Sequence, residues 1–351
     1  MPRIEILIHK ASGSSGCRWL GSTKTSNRSK GAGQLMIGTI AIALAAGLAS
    51  ALMFASITSG ALISLLLINL APLPLMVVGL VWGPLGAAVG GVAATAVIAA
   101  LFGFPYSIAF AIVNALPAWW LAHLVLLGRP QPSDSAAAAE ATLEWYPVGR
   151  ILLWIVVFAT VITAATFLTM GSDAAAIQSA IRKGCSELLE AAGLALNDST
   201  LDALVVIAPI GTEMVAVAML TLNLWLAARV AAMSGRLHRP WPVFKNTALP
   251  TVAIVVLFAA IACCFFGGLP AMLAQIVATG LSIAYAMTGF AVLHTVTLAM
   301  KSRALWLGCA YAVAAGFAWA LLAVALLGLA DAVFGLRQRY LRRHPPPLPK
   351  S

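Results

Sequence analysis

A long absence of charge is the feature that most constrains this chain. Between Met36 and Leu127 the sequence contains no Asp, Glu, Lys or Arg. A membrane-spanning helix needs about 20 apolar residues, so this run has room for four spans. Charged residues make up 9% of the whole chain, whereas a soluble domain carries about 25%. A soluble fold this apolar could not cover its own surface, so the solvent of this chain must be the lipid bilayer.

Glycine and proline divide the apolar stretches into candidate spans. The first six predicted spans cover residues 36–57, 61–82, 84–102, 105–127, 151–171 and 203–231. Residues 246–300 again lack formal charge, and Gly267-Gly268 split them into two further spans. The sequence therefore predicts an all-α fold, a polytopic transmembrane helix bundle of about 8–10 spans at 36–336.

The last apolar stretch, 304–330, allows two interpretations. One span there would place the arginines from Arg337 onward on the opposite side of the membrane from the other basic segments. A hairpin of two short helices turning near Gly316 would keep them on the same side, and protein contacts would have to cover its turn. We favour the hairpin.

Basic residues predict the orientation. They concentrate in an N-terminal tail at 1–35, which is predicted to be disordered, in the loop at 232–248, and in a Pro-rich tail at 337–351. The positive-inside rule places these three segments in the cytoplasm. The segment 172–202 holds five acids and two basic residues, and its apolar residues follow helical spacing. It is predicted to be an amphipathic outer segment lying on the membrane.

Glu213 is the sharpest candidate for a functional residue. It lies about ten residues into a predicted span, so roughly 15 Å deep, and it is the only acid within any predicted span. A carboxylate at that depth is costly and should be protonated or paired with a cation. It would serve as a substrate, cation or proton site, or as a hydrogen-bonding link between two helices.

Several uncharged polar residues could join Glu213 in a substrate or ion site. Such side chains usually link helices, but together they could line a polar cavity. They are Asn69, Asn114, Asn223, Gln275 and Tyr285.

Small residues form rows along the first span. Ala41, Ala45 and Ala49 recur every fourth residue, and Gly47 belongs to a parallel row. Such rows let two helices approach closely. They would pack within this protein or dock a partner helix.

Other classes of function find no support in the sequence. It shows no nucleotide-binding motif, catalytic triad or metal-ligand spacing, so we expect no enzyme activity, no cofactor and no metal. The net charge of +10 is spread over short loops rather than gathered in a patch, so we expect no nucleic-acid partner.

Two stretches carry a family resemblance. They are Leu70-Ala71-Pro72-Leu73-Pro74-Leu75 with the glycines at 79, 83, 86 and 90, and Leu327-Gly328-Leu329-Ala330-Asp331 running to Arg337. Together they resemble the YybS-like bacterial membrane proteins (domain of unknown function 2232), which implies location in the cytoplasmic (inner) membrane of a bacterium. The glycine pattern also resembles the early helices of S components of energy-coupling-factor transporters. In that family, alanine rows dock a membrane coupling subunit.

The leading hypothesis is a small-molecule transport component that resembles an S component. Glu213 and the polar residues would bind the solute, and a membrane coupling subunit and ATPases, or an ion gradient, would supply the energy. The alternative is a non-transporting membrane scaffold that binds an assembly partner through its alanine-rich faces.

Overall fold

A computed structural model describes residues 23–130, 143–191, 193, 197–242, 247–300 and 302–343. Nearly all of these residues are helical. The helices, in chain order, are α1 (Thr23–Ala55), α2 (Leu62–Leu70), α3 (Pro72–Trp82), α4 (Pro84–Phe102), α5 (Phe104–Phe110), α6 (Leu116–Leu126), α7 (Val148–Leu168), α8 (Ala174–Ala191), α9 (Asp198–Met233), α10 (Val252–Cys263), α11 (Gly268–Val296), α12 (Arg303–Gly316), α13 (Ala318–Phe334) and α14 (Leu336–Arg343).

Short irregular elements connect some of these helices. Among the described residues, 3₁₀ turns occupy Ser56–Ser59, Cys264–Phe266 and Thr297–Ala299. Two strands, β1 (Gly128–Pro130) and β2 (Leu143–Trp145), form an antiparallel pair that the sequence did not predict.

Seven of the described helical segments are long and apolar enough to cross a membrane. They are Met36–Ser59, Ile63–Trp82, Pro84–Phe102, Phe104–Leu126, Val148–Leu168, Asp198–Met233 and Gly268–Val296. The bent pair α13–α14 raises the number to eight if it counts as one span. The prediction of an all-α polytopic bundle is therefore confirmed, at the lower edge of the predicted number of spans.

The predicted seventh span is shorter than a bilayer is thick. The apolar helix there runs from Val252 to Phe266, because glycines at 267 and 268 with positive φ angles end it. At 1.5 Å per residue such a helix covers about 22 Å, against a hydrocarbon core of about 30 Å.

The segment 304–336 forms a hairpin, as we favoured. Arg303, at the start of α12, contacts His294 near the end of α11. After the turn at Phe317, the hydroxyl of Tyr340 in α14 donates to the carbonyl of Val296, 3.0 Å away. Both ends of the hairpin therefore lie at the same end of α11. Helix α13 packs along α11, where Gly289 and Gly328 face each other across the contact.

Two helices organise the packing. In the first half of the chain, α3 packs against α1, α4, α6 and α9, and in the second half α11 packs against α7, α9, α10 and α13. Contacts of α9 with α3 and of α6 with α7 join the halves into one apolar core. The predicted amphipathic segment is α8, which buries Ile177 and Ile181 against Phe167, Val205 and Ile276.

The predicted terminal tails are only partly described. Residues 1–22 and 344–351 lie outside the described ranges. Helix α1 already begins at Thr23, before the predicted span start at residue 36. Residues 336–343 form α14, which meets α13 at an angle of 73°.

Candidate functional site

Glu213 lies where three spans meet. It is fully buried on α9, and the hydroxyl of Thr160 on α7 donates to its Oε1 atom at 3.0 Å. Gly280 of α11 completes the junction, because a Cβ atom placed there would lie 2.5 Å from the same oxygen. Glycine is therefore the residue that lets α11 approach the carboxyl group.

The Glu213 junction is close-packed and incompletely hydrogen-bonded. The buried hydroxyl of Thr163 lies near the carboxyl group, but neither this hydroxyl nor Oε2 makes a hydrogen bond of good geometry with a described residue. No described Lys or Arg forms an ion pair with it either. Pro209, one turn earlier in α9, lacks the N–H that would bond the carbonyl of Val205, so this part of the helix has weaker internal bonding.

The other predicted polar residues do not gather around Glu213. Fully buried Asn223 donates through Nδ2 to the carbonyl of Asn69 and to that of Met219, both at 2.8 Å. It thus links α9 to the end of α2, and Asn69 turns its own side chain to the carbonyl of Leu65. Both asparagines link helices or helical turns, which is the common role of such residues in a bilayer.

Asn114, Gln275 and Tyr285 are likewise separate from one another in the hydrogen-bond network. Asn114 is buried in a π-helical segment, Ala111–Ala115, and its Nδ2 atom is unpartnered among the described residues. Pro117 follows and cannot donate to the carbonyl of residue 113, which accounts for the irregular turn. Gln275 is half-buried on α11, and Tyr285 belongs to a different cavity.

The cavity that Tyr285 lines has a volume of about 630 Å³ and lies under the α12–α13 hairpin. The buried hydroxyl of Tyr285 has no described hydrogen-bond partner. Asp331 also lines the cavity and accepts from the backbone N–H and the Nε atom of Arg337 at 2.8 and 2.7 Å. This buried ion pair joins α13 to α14 and holds the bend between them.

A larger cavity of about 900 Å³ lies between α7, α9, α11 and the hairpin; we call it the inner cavity. Most of its wall is aliphatic or aromatic, and none of the described residues that line it is acidic. Its deep end, which is the end farther from the charged ends of α7, α9 and α11, is lined by Ile155, Met214 and Ile283. Because Met214 directly follows Glu213 in the chain, the Glu213 junction lies next to this deep end.

The opposite end of the inner cavity is basic. Arg239 is 8% exposed and donates to the carbonyls of Val125 and Tyr146 at 3.2 and 3.0 Å. Burial lowers the pKa of its guanidinium group from the usual value. Arg303, also in the wall, lies 3.4 Å from Nδ1 of His294. We call this end the arginine mouth.

Aromatic residues extend the arginine mouth toward the surface. The exposed guanidinium of Arg229 lies 6.0 Å from the ring centre of Trp225 and 5.4 Å from that of Trp241. Both tryptophans line the inner cavity. Such cation–π contacts hold a positive charge beside an apolar surface. The cavity is therefore amphiphilic, with an apolar interior and a cationic opening.

The two small-residue rows of α1 have different environments. Gly47 packs against Gly90 of α4 so closely that a Cβ atom on it would overlap the carbonyl of Gly90. Of the two roles predicted for these rows, Gly47 therefore takes the first, which is packing within this chain. Ala41 and Ala45 are exposed and Ala49 is half-buried, so that row stays a predicted docking surface.

Comparison with known proteins gives no family for this chain. No protein-family description, curated protein or solved structure matches it. The resemblances to the YybS-like proteins and to S components thus stay predictions.

The inner cavity and its arginine mouth were not predicted from the sequence. The available signal was the run from Trp225 to Trp241, where two tryptophans flank three arginines at the end of a span. The positive-inside rule accounts for those arginines as an orientation signal, and so they did not suggest a site. The convergence of Arg239 and Arg303, which are far apart in the chain, required the fold.

Proposed function

We propose that this multi-pass membrane protein is a solute-binding component of a membrane transport system, and that the solute occupies the inner cavity. The observation that carries the proposal is a cavity of about 900 Å³ enclosed by three spans and the α12–α13 hairpin. Small-molecule sites are typically concave, about 300–1,000 Å³ in volume, and mostly apolar with a few polar groups.

The proposal moves the solute site away from the predicted set of polar residues. Those residues do not line one cavity, and Glu213 lies in a close-packed junction beside the deep end. Its neighbour Met214 forms part of the wall. The occupant would then affect Glu213 through the packing of α9 on α7 and α11, and Glu213 need not bind it directly.

Transport would require a source of energy. We propose that it comes from partners, a membrane coupling subunit and ATPases as in the S-component resemblance, or from an ion gradient. The cytoplasmic placement of the basic segments and the bacterial inner membrane belong to the same proposal. The clustering of Arg229, Arg236, Arg239 and Arg303 at one end of the bundle supports that orientation.

A substitution that fills the cavity tests this proposal. Ala218 lines the inner cavity from α9 and is itself exposed, so tryptophan there should enter the cavity without breaking the core. Ala100→Trp, at an exposed position of α4 outside the cavity, is the matched control. Thermal unfolding of the purified protein would be measured with a panel of vitamins, amino acids and alkyl amphiphiles.

We expect at least one solute class to stabilise the wild type and the Ala100→Trp variant but not Ala218→Trp, because a ligand that binds only the folded state raises its stability. That solute should also cross vesicles that contain the protein and its partners. If every solute acts equally on all three proteins, the inner cavity is not a binding site and the transport proposal fails.

The scaffold alternative has its own supporting observation. Ala41 and Ala45 remain exposed on α1 although the neighbouring Gly47 row is packed inside. Under this alternative, a cysteine at Ala45 should cross-link to a partner helix in native membranes, whereas a cysteine at exposed Val92 of α4 should not. Equal cross-linking at both positions would count against a specific docking face.

A further inference from the structure

We propose that the solute of the inner cavity is an anionic amphiphile of the lipid type, with its head at the arginine mouth and its chain along the apolar wall. The inference rests on the proposed function and names the chemical class of its solute. Three independent features of the cavity support it: a buried cation that is paired with no described acid, a second donor without a described acceptor, and an opening toward the bilayer.

Arg239 is the buried cation. It is more than nine-tenths buried, and its two described acceptors are backbone carbonyls, which carry no net charge. None of the ion pairs among the described residues includes it. A buried charge without a counter-charge is strongly unfavourable. An anion held in the inner cavity, which Arg239 lines, would supply that counter-charge.

Arg303 provides the second donor. Its Nε–H is buried and has no acceptor among the described residues, while its Nη2 atom faces the ring and the carbonyl of His294. A guanidinium group with a free N–H matches phosphate or carboxylate oxygens in geometry as well as charge. Since no described lining residue is acidic, the ligand is the group that would fill this role.

The apolar wall has the length of an alkyl chain. On α11 it runs from His294 at the mouth to Ile283 at the deep end, a distance of about 16 Å along the helix. Lipid is as apolar as this wall, so a chain that leaves the bilayer gains little hydrophobic free energy. The head at the arginine mouth must therefore provide the selectivity.

The inner cavity opens sideways. Three of its lining residues are exposed, namely Ala218 and Trp225 on α9 and Tyr311 on α12, so we place the opening between these two helices. The floor, by contrast, is closed, since Ile155 and Ala286 are almost fully buried. Because α9 is a membrane-spanning helix, this opening faces lipid at Ala218. An amphiphile could enter from the bilayer without passing through water.

Binding of dodecyl phosphate to the purified protein in a neutral detergent tests the inference. Dodecanol is the uncharged probe with the same chain, and inorganic phosphate is the headgroup without a chain. The variants are Arg303→Gln and Arg239→Gln, with Arg129→Gln as the control, because Arg129 is an exposed arginine paired with Glu144 on the β1–β2 hairpin. Ala218→Trp reports whether a probe uses the inner cavity.

We expect dodecyl phosphate to bind at least about tenfold more tightly than dodecanol, since a hydrogen bond to a charged group is worth a tenfold change or more. Inorganic phosphate should bind more weakly than dodecyl phosphate, because it has no chain to contact the apolar wall. Arg303→Gln should weaken that binding by about tenfold or more, and Arg129→Gln should leave it unchanged. Arg239→Gln is compared only after its thermal unfolding shows that it folds. Ala218→Trp should abolish binding.

Two results would overturn the inference in distinguishable ways. Equal binding of dodecyl phosphate and dodecanol, unchanged in Arg303→Gln but lost in Ala218→Trp, would refute the anionic class and leave the inner cavity as a solute site. Binding of inorganic phosphate alone, or no binding that responds to Ala218→Trp, would refute the lipid-type occupant. Of these outcomes, only the absence of any binding that responds to Ala218→Trp would also count against the proposed function.

Discussion

Two glycine-to-alanine substitutions, one inside the contact between α11 and α13 and one outside it, should change the free energy of unfolding in opposite directions. A Cβ atom at Gly328 would lie 2.7 Å from the amide nitrogen of Gly289 and would overlap the carbonyl of Tyr285. Ordinary contacts between heavy atoms are about 3.5–4.0 Å. The hairpin would therefore have to move away from α11 by close to one ångström, and neither obstacle is a flexible side chain that could turn aside.

Overpacking of this kind costs about 1–3 kcal/mol, so Gly328→Ala should destabilise the protein by that amount. Gly308→Ala on α12 should act in the opposite direction. A Cβ atom at Gly308 would meet nothing within 4 Å, and alanine is the better helix former by about 1 kcal/mol. Unfolding by sodium dodecyl sulfate in mixed micelles, followed by circular dichroism, would measure both changes.

The double substitution sharpens this test. Gly289→Ala meets the same contact from the other side, since its Cβ would overlap the carbonyl of Val324. Once one alanine has separated the helices, the second should cost less, so the two effects should not add. A stable Gly328→Ala variant, or strict additivity with Gly289→Ala, would refute the close approach of α13 to α11.

The ion pair, the hairpin and the junction each allow a further test. Asp331→Asn should destabilise the protein by about 3–5 kcal/mol, because it removes the negative charge from a buried ion pair, whereas Glu144→Gln in an exposed pair should cost under about 1 kcal/mol; thermal unfolding compares them. Cysteines at Ser302 and Gln338, in a background without native cysteines, should react with an impermeant maleimide from the same side of the membrane; opposite sides would refute the hairpin. Glu213→Lys should prevent stable folding, while Glu213→Gln should fold, as judged by gel filtration in detergent, because only lysine adds a charge to a junction without counter-charge.

The sequence was sufficient for the class of fold and for most boundaries. Spans separated by glycine and proline were located well, since Pro84–Phe102 matches its prediction and Phe104–Leu126 is shifted by one residue. Absence of charge over the length of a span is a direct consequence of the bilayer as solvent, so a span can be recognised without any knowledge of packing. The two short helices, before Gly267 and after Met300, were harder to predict, because length alone does not determine whether a short apolar helix crosses the membrane.

The candidate site was less predictable, for a physical reason. The sequence singles out Glu213 by its cost in lipid, and the structure does place it in a buried three-helix junction. The sequence does not indicate which other side chains share that junction. The junction is formed by Gly280, Thr160 and Glu213, which belong to three different helices. Residues that lie so far apart in the chain meet only when the rotation and tilt of their helices bring them together, and both depend on packing.

The hairpin also has a consequence for how the protein is made. Helix α12 has 14 residues, about 21 Å in length, and it begins with an arginine, so on its own it is a poor candidate for insertion as a span. Helix α11 precedes it in the chain and offers the glycine-lined surface on which α13 rests. Membrane integration of this protein should therefore take place in two stages: the long helices enter first, and the hairpin then folds into the bilayer against a partner already in place.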